Sequence, residues 1–448
     1  MSFTADPAEG QRVHELDRAH VFHSWSAQGA LNPMNIAATD GCYVWDYDGN
    51  RFLDLSSQLV NVNIGHQHPK VVKAIQDQAA RMATIAPQHA NDVRGEAAKR
   101  IADLAPDGMN KVFFTNGGAD ANENAVRMAR LHTGRDKVLS FYRSYHGNTG
   151  TAIQATGDPR RWPNEYADHV VHFFGPYPYR SSFWSTSPEE ETERALEHLY
   201  QVIQFEGPAT IAAILIESVV GTAGVLIPPP GYLEGVQALC ESYGIMFIAD
   251  EVMCGFGRTG KWFAFNHFDV TPDLITFAKG SNSGYVPVGG VVISDPIAAT
   301  FDERVFPGGL TYSGHPLAAA SIVASIDAMK EERIVENAAA IGENVLGPGL
   351  RELAERHPVI GEVRGLGVFW ALDLVSNRET REPLAPYGGT SPAMAELQAE
   401  IKKRGALPFA NFNRLHVVPP CTINEAEAKE GLGILDEAFA VVDKHYAG

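Results

Sequence analysis

The stretch "DLITFAKGSNSGYVPVGGVVIS", residues 273–294, carries one lysine, Lys279, behind an apolar run and ahead of glycines and a proline. An ammonium group at the end of a buried strand is costly unless a partner or a reaction uses it. Desolvation lowers a lysine pKa, and the neutral amine can then condense with a carbonyl. Asp250 and Glu251 close another apolar run, "IMFIADEV". A carboxylate in that setting wants a cationic partner, and a protonated ring nitrogen would serve. In "FFTNGGADANENAVRMAR" a strand gives way to glycines and then to a helix. The backbone amides of Gly118 and Ala119 would face the helix entry, a place suited to phosphate. In "YRSYHGNT", Tyr145 and His146 follow a strand, and the aromatic ring could stack on a flat ligand.

The elements that must hold these groups form an alternating pattern. Between about residues 90 and 325, short apolar runs ("KVFFTN", "KVLSFY", "IAAILIES", "IMFIADEV", "LITFAK", "VGGVVIS") alternate with helical stretches such as "ADANENAVRMARLHTG" and "GYLEGVQALCESYG". This alternation predicts an α/β domain with a mostly parallel sheet, whose sites lie at the carboxyl ends of its strands. The four features all fall at such ends. Taken singly, each has a plainer reading: a glycine turn, loop packing, a salt bridge. Together they supply a phosphate cradle, an aromatic plate, a carboxylate and an amine, which are the requirements of pyridoxal phosphate.

"GCYVWDYDGNRFLDLSS" reads as a hairpin turning at "YDGN", and "HPKVVKAIQDQAARM" as a helix. Beyond residue 335, helices and the strand-like "VFWALDLV" and "RLHVVPP" predict a smaller α+β domain, with which the N-terminal hairpin would pack. The expected division is 1–75 as the N-terminal segment of the small domain, 76–330 as the large cofactor-binding domain, and 331–448 as the rest of the small domain. The chain has 448 residues, 54 acidic against 36 basic, and a formal charge of −18, a poor match to nucleic acid or an anionic membrane surface. The start "MSFTADPAEG" shows no secretory signal, and no stretch reads as a membrane helix. The four cysteines, Cys42, Cys240, Cys254 and Cys421, lack metal-ligand spacing, so no metal is expected and the chain reads as cytoplasmic. "GFGRTG" matches G-x-G-x-x-G, but "KWFAFNHFDVTPDL" follows it in place of a long amphipathic helix, so a dinucleotide site is rejected.

The stretches "TNGGADANENAVRMAR", "YHGNT", "ADEVMCGFGRTG", "FAKGSNSGYVPVGGV" and "TYSGHPLAAA", in this order and spacing, resemble the class III aminotransferases of the fold-type-I pyridoxal-phosphate enzymes. The likeness spans nearly the whole chain and is greatest to the ω-aminotransferase branch that includes taurine and β-alanine enzymes. The resemblance implies that Lys279 bonds the cofactor and moves the substrate proton, and that Asp250 binds the ring nitrogen. Val252 would pack under the ring and Tyr145, beside His146, over it. Gly117, Gly118 and Ala119 would hold the phosphate, and Glu217, ending "ILIES", matches a carboxylate near the cofactor. Thr311 would reach the phosphate of a neighbouring subunit, which implies a homodimer or a dimer of dimers.

The sequence departs from the family pattern in several places. The phosphate loop commonly reads T-N-S-G-S-E and here is "TNGGAD", so hydroxyl donors are missing at Gly117 and Ala119. The E-x-x-Q element is "ESVV", with Val220 in place of glutamine, and Val60 replaces an aromatic at the substrate pocket. Trp25 matches a pocket-lining position. The swinging arginine that binds substrate carboxylates aligns with Phe409, which leaves Arg414 as the expected acid-binding group and Arg160 and Arg161 as further candidates. The reading is an enzyme moving an amino group from an ω-amine or amino acid (taurine, β-alanine or 4-aminobutyrate type) to pyruvate or 2-oxoglutarate. The alternatives are an aminomutase or decarboxylase on the same fold and, less favoured, a nicotinamide oxidoreductase.

Overall fold

A computed structural model describes residues 4–164 and 169–448. The first three residues of the N-terminal segment lie outside the described residues. The N-terminal hairpin consists of β1 (Ile36–Asp40), β2 (Tyr43–Asp46) and β3 (Arg51–Asp54). Its second turn is pinned by Asp46, whose Oδ1 accepts the amides of Asp48 (3.0 Å) and Asn50 (2.8 Å). The large sheet contains β4 (Lys111–Thr115), β5 (Lys137–Phe141), β6 (Val170–Phe173), β7 (Ile211–Glu217), β8 (Met246–Asp250), β9 (Leu274–Phe277) and β10 (Gly289–Ile293). Their spatial order is β4-β10-β9-β8-β7-β5-β6. All run parallel except β10, which pairs antiparallel with both β4 and β9. The sheet is therefore mostly parallel, as the alternating pattern predicts.

Strand β7, "IAAILIE", is buried at every position because both faces of the sheet are covered. Ala213 and Leu215 face one apolar cluster with Ala121, Ala125 and Met128 of the helix Gly118–Thr133. Ile214 and Ile216 face the opposite cluster with Leu139, Phe247 and Ile275. That sandwich fixes the sheet as a rigid floor, and the polar residues at its carboxyl edge inherit that rigidity.

The C-terminal part adds β11 (Ile360–Leu366), β12 (Phe369–Asn377), β13 (Glu382–Pro383), β14 (Ala406–Leu407), β15 (Phe409–Asn411) and β16 (Arg414–Val417). Strands β11-β12-β16-β15 form one antiparallel sheet, with β13 beside β12. Strand β14 instead joins the N-terminal hairpin, parallel to β3, with Ala406 opposite Leu53. Among the described residues, no helix is long and apolar enough to cross a membrane.

The segment "GFGRTG" is a run of turns followed by a short 3-10 helix, Ala264–His267, and not the opening of a long helix. Its Arg258 is fully buried. The guanidinium donates to Asn63 Oδ1 (2.6 Å), Ser57 Oγ (3.2 Å) and the carbonyls of Val368 and Pro419. The motif thus clamps N- and C-terminal segments onto the large sheet.

Candidate active site

The register of the central strands sets three side chains in a row. Glu217 of β7 lies opposite Asp250 of β8, which lies opposite Thr276 of β9. All three sit at the carboxyl edge of the sheet, and Lys279 follows Thr276 by one turn of chain.

Asp250 is the most constrained of them. Its Oδ2 accepts from His146 Nδ1 (2.6 Å) and Asn122 Nδ2 (2.8 Å), and its Oδ1 accepts from the Val252 amide (3.0 Å). Each donor is held in turn. His146 Nε2 lies 3.1 Å from Ser140 Oγ, and Asn122 Oδ1 accepts from Thr276 Oγ1 (2.8 Å). Such a network fixes the orientation of a carboxylate where water is scarce.

Glu217 accepts the amides of Tyr145 (3.0 Å) and Gly221 (2.8 Å), and burial pushes its pKa up to about 7, with Asp250 adding to the rise. Glu251, by contrast, turns away. It accepts the amides of Ala264 (2.7 Å) and Phe265 (3.0 Å) and anchors the loop that carries Arg258.

Lys279 has φ 38°, a left-handed backbone that a side-chain-bearing residue adopts at a cost of about 1–3 kcal/mol. Burial pushes its amine down to about 8, against the opposing charges of Glu217 and Asp250. The strain and the desolvation both persist only because the surrounding sheet dictates them, as at sites of covalent chemistry.

The helix Gly118–Thr133 opens with Gly117 as its N-cap and no side chain capping it. Its first amides are therefore available to an anion. A Cβ on Gly118 would lie 2.7 Å from Val252 Cγ1, so the backbone approaches Val252 as only glycine allows. At Gly117 a Cβ would meet nothing within 4 Å. Gly147 has φ 134°, and a Cβ there would come within 2.5 Å of Ala119 Cβ. The glycine brings the Tyr145–His146 loop down onto the helix entry. The Tyr145 ring carries the Arg160 guanidinium 3.7 Å from its centroid, and Arg160 is in turn paired with Asp158.

These groups enclose a cavity of about 380 Å³. Gly117, Gly118, Ala119, Tyr145 and His146 line one side of it, and Glu217, Asp250, Val252 and Lys279 the other. A larger, more open cavity of about 940 Å³, between the first helix and Lys402–Gly405, brings none of them together. The donor set suits pyridoxal phosphate: an uncapped helix entry for its phosphate, a fixed carboxylate for its ring nitrogen, a low-pKa amine for its aldehyde, and Val252 and Tyr145 for the two faces of its ring.

Other expected residues lie elsewhere. Thr311 is exposed on the surface of the chain. Trp25 is 63% exposed and outside the cavity lining. Val60, expected at the substrate pocket, is fully buried among Val219, Val225 and Phe369, with a positive φ of 57°. Its neighbours Leu59 and Asn61 line the cavity instead. Arg414 lines a different cavity, together with Arg143 and Arg180. Sequence reasoning missed Asn122, which stands one helical turn beyond Gly118 and so shares its face. It also missed Thr276, which is visible only once β8 and β9 are known to be adjacent.

A parallel sheet edge that sets an activated lysine beside an anchored carboxylate and a helix-entry anion cradle defines a pyridoxal-phosphate enzyme. The family profile for aminotransferase class-III matches residues 25–439, and the chain belongs to that family. The chain is 38% identical to a putrescine–pyruvate aminotransferase of Pseudomonas aeruginosa, over 97% of this chain and 98% of that protein. It is 31% identical to a taurine–pyruvate aminotransferase of Bilophila wadsworthia, over 99% of each. Among solved structures, it superposes with TM-score 0.95 and 43% identity on a taurine:2-oxoglutarate aminotransferase of Bifidobacterium kashiwanohense in complex with PLP and glutamate, covering 100% of both chains. The protein is a pyridoxal-phosphate-dependent aminotransferase.

Proposed function

We propose that the chain takes the terminal amino group of a small ω-amine that bears an acid group, of the taurine, β-alanine or 4-aminobutyrate type, and passes it to pyruvate or 2-oxoglutarate. The observation that carries this reading is the Lys279 cavity, with Arg160 as the cation bearing on it. When bound, pyridoxal phosphate supplies an aldehyde that takes up the amino group and a ring that draws electrons from the adjoining carbon. Lys279, pushed down to about 8, is partly neutral near pH 7 and can remove and return the proton at that carbon. Asp250 supplies the fixed negative charge, and Tyr145 covers the ring. The relatives named for taurine and putrescine, and the solved structure named for taurine, support an ω-amine donor.

Acid recognition moves from Arg414 to Arg160. Neither arginine lines the Lys279 cavity, but Arg160 lies against Tyr145, which does, and its positive charge bears on Lys279. A desolvated acid group needs a positioned guanidinium. The test compares taurine, β-alanine and uncharged 1-phenylethylamine as donors. Arg160→Ala should raise KM for the acidic donors by about tenfold or more, with little change for 1-phenylethylamine, while Arg414→Ala should leave the ratio intact. Equal losses toward all three donors in Arg160→Ala would remove it from acid recognition.

The working unit in this reading is a cytoplasmic homodimer. Thr311 is exposed, and the same segment exposes the apolar side chains of Val305 (85%) and Tyr312 (64%), which a second copy would cover. The four cysteines are buried and unpaired, which supports a reducing compartment.

A further inference from the structure

A second cavity, of about 360 Å³, lies between the large sheet and the small domain. It shares no lining residue with the Lys279 cavity. Arg143, Arg180 and Gly157 come to it from the large domain, and Tyr387, Asn413 and Arg414 from the C-terminal part. Arg364 packs alongside, its guanidinium 5.1 Å from the Tyr177 ring centroid.

The charges here do not cancel in pairs. Asp373, fully buried, accepts from Arg180 Nη2 (2.7 Å), Tyr177 Oη (2.8 Å) and Asn413 Nδ2 (3.0 Å). Glu362 is taken by Arg364. Glu191, the next carboxylate, is occupied by the Tyr177 amide (2.7 Å) and by the hydroxyls of Ser181 and Ser185. Arg143 is left with a cation–π contact to Tyr177 at 5.4 Å and, among the described residues, no carboxylate partner. Arg414, only 5% exposed, comes no closer than 3.9 Å to Asp373, and its Nε has no hydrogen-bond partner. A buried guanidinium with an unpaired Nε, as at Arg414, is expensive, and with the half-buried Arg143 lining the same cavity it calls for an anion. Tyr142, Phe174 and Tyr177 add an apolar wall.

We infer that this inter-domain cavity binds a small organic dianion of the dicarboxylate type, gripped by Arg143 and Arg414 and packed against the aromatic wall. The ligand would bridge the two domains. Arg143 stands two residues before Tyr145 on the same loop, so occupancy would also steady the plate over the Lys279 cavity.

The probe is succinate, which has the two charges but no carbonyl to react. Calorimetry on the full-length holoenzyme should show saturable binding at millimolar or lower concentration, accompanied by a rise in Tm. Arg143→Gln should weaken that binding by about tenfold or more. Arg414→Gln should do the same, and where it fails to fold, Arg143→Gln alone decides. Arg160→Ala, which removes the charge stacked on Tyr145 beside the Lys279 cavity, should leave succinate affinity unchanged. No saturable binding, unchanged affinity in Arg143→Gln, or loss confined to Arg160→Ala would each overturn the assignment. Inorganic sulfate is the second arm: it should bind distinctly more weakly than succinate, and equal binding would overturn the organic class.

Discussion

Asp250 cannot rotate, because His146, Asn122 and the Val252 amide hold both of its oxygens. Its charge is therefore fixed where the ring nitrogen of the cofactor would sit. Asp250→Asn should keep the shape and remove the charge, at a cost of about 3 kcal/mol, or roughly 100-fold in the rate of the single-turnover half-reaction with an amine donor. A variant within threefold of the parent would show that the charge is dispensable. Gly117 invites the opposite experiment. Its backbone is extended, with φ 178°, and the space beyond its Cα is open, so a serine fits without strain. Gly117→Ser would add a hydroxyl to an uncapped helix entry, worth about 1–2 kcal/mol toward an anion. Cofactor loss during dialysis should slow accordingly. Unchanged or faster loss would mean that the backbone amides alone saturate the phosphate.

At the scale of elements, the site depends on the loop after β5 reaching the start of the helix Gly118–Thr133. Gly147 allows that approach, and Gly147→Ala would place a methyl 2.5 Å from Ala119 Cβ at a φ that alanine avoids. We expect a cost of about 1–3 kcal/mol, read as a lower Tm and faster cofactor loss, the two falling together because one contact serves fold and site. A normal Tm with normal cofactor retention would show that the loop can back away freely. Much of this architecture was legible in the sequence. Lys279, Asp250 and Gly118 stand out because apolar runs end at them, and the runs themselves mark β4, β5 and β7 to β10. Strand adjacency was not legible, since nothing in "LITFAK" says that Thr276 stands beside Asp250. The partners of lone charges in irregular segments were equally illegible. Arg258 and Arg160 gain their meaning from partners far along the chain or across a loop. For Val60 the family alignment gives a position in the chain and not the packing of its side chain. The short edge strand β6 and the Gly-containing β11 escaped notice because their apolar patterns are brief.

For the whole molecule, the question is whether one copy is sufficient. Thr311 is exposed in the single chain and absent from the Lys279 cavity. If the partner's copy of this residue completes the phosphate site, two inactive variants should rescue each other. Lys279→Ala and Thr311→Asp, unfolded together and refolded as a mixture, would form heterodimers with one intact site. Activity should return to about a quarter of the parent level, the statistical share of intact sites when subunits pair at random. No recovery, although mixed dimers are detected, would place Thr311 outside the neighbouring site. The pairing of β14 with β3 has a different kind of consequence, one of timing. Leu53 finds Ala406 opposite it, so an early strand waits for one made about 350 residues later. At ribosomal speeds of about 5–20 residues per second, the nascent hairpin stands with an open edge for roughly 20–70 s. During synthesis that edge is a docking place for a chaperone or for another nascent copy, and slowing the ribosome should increase aggregation more than any change at the catalytic lysine.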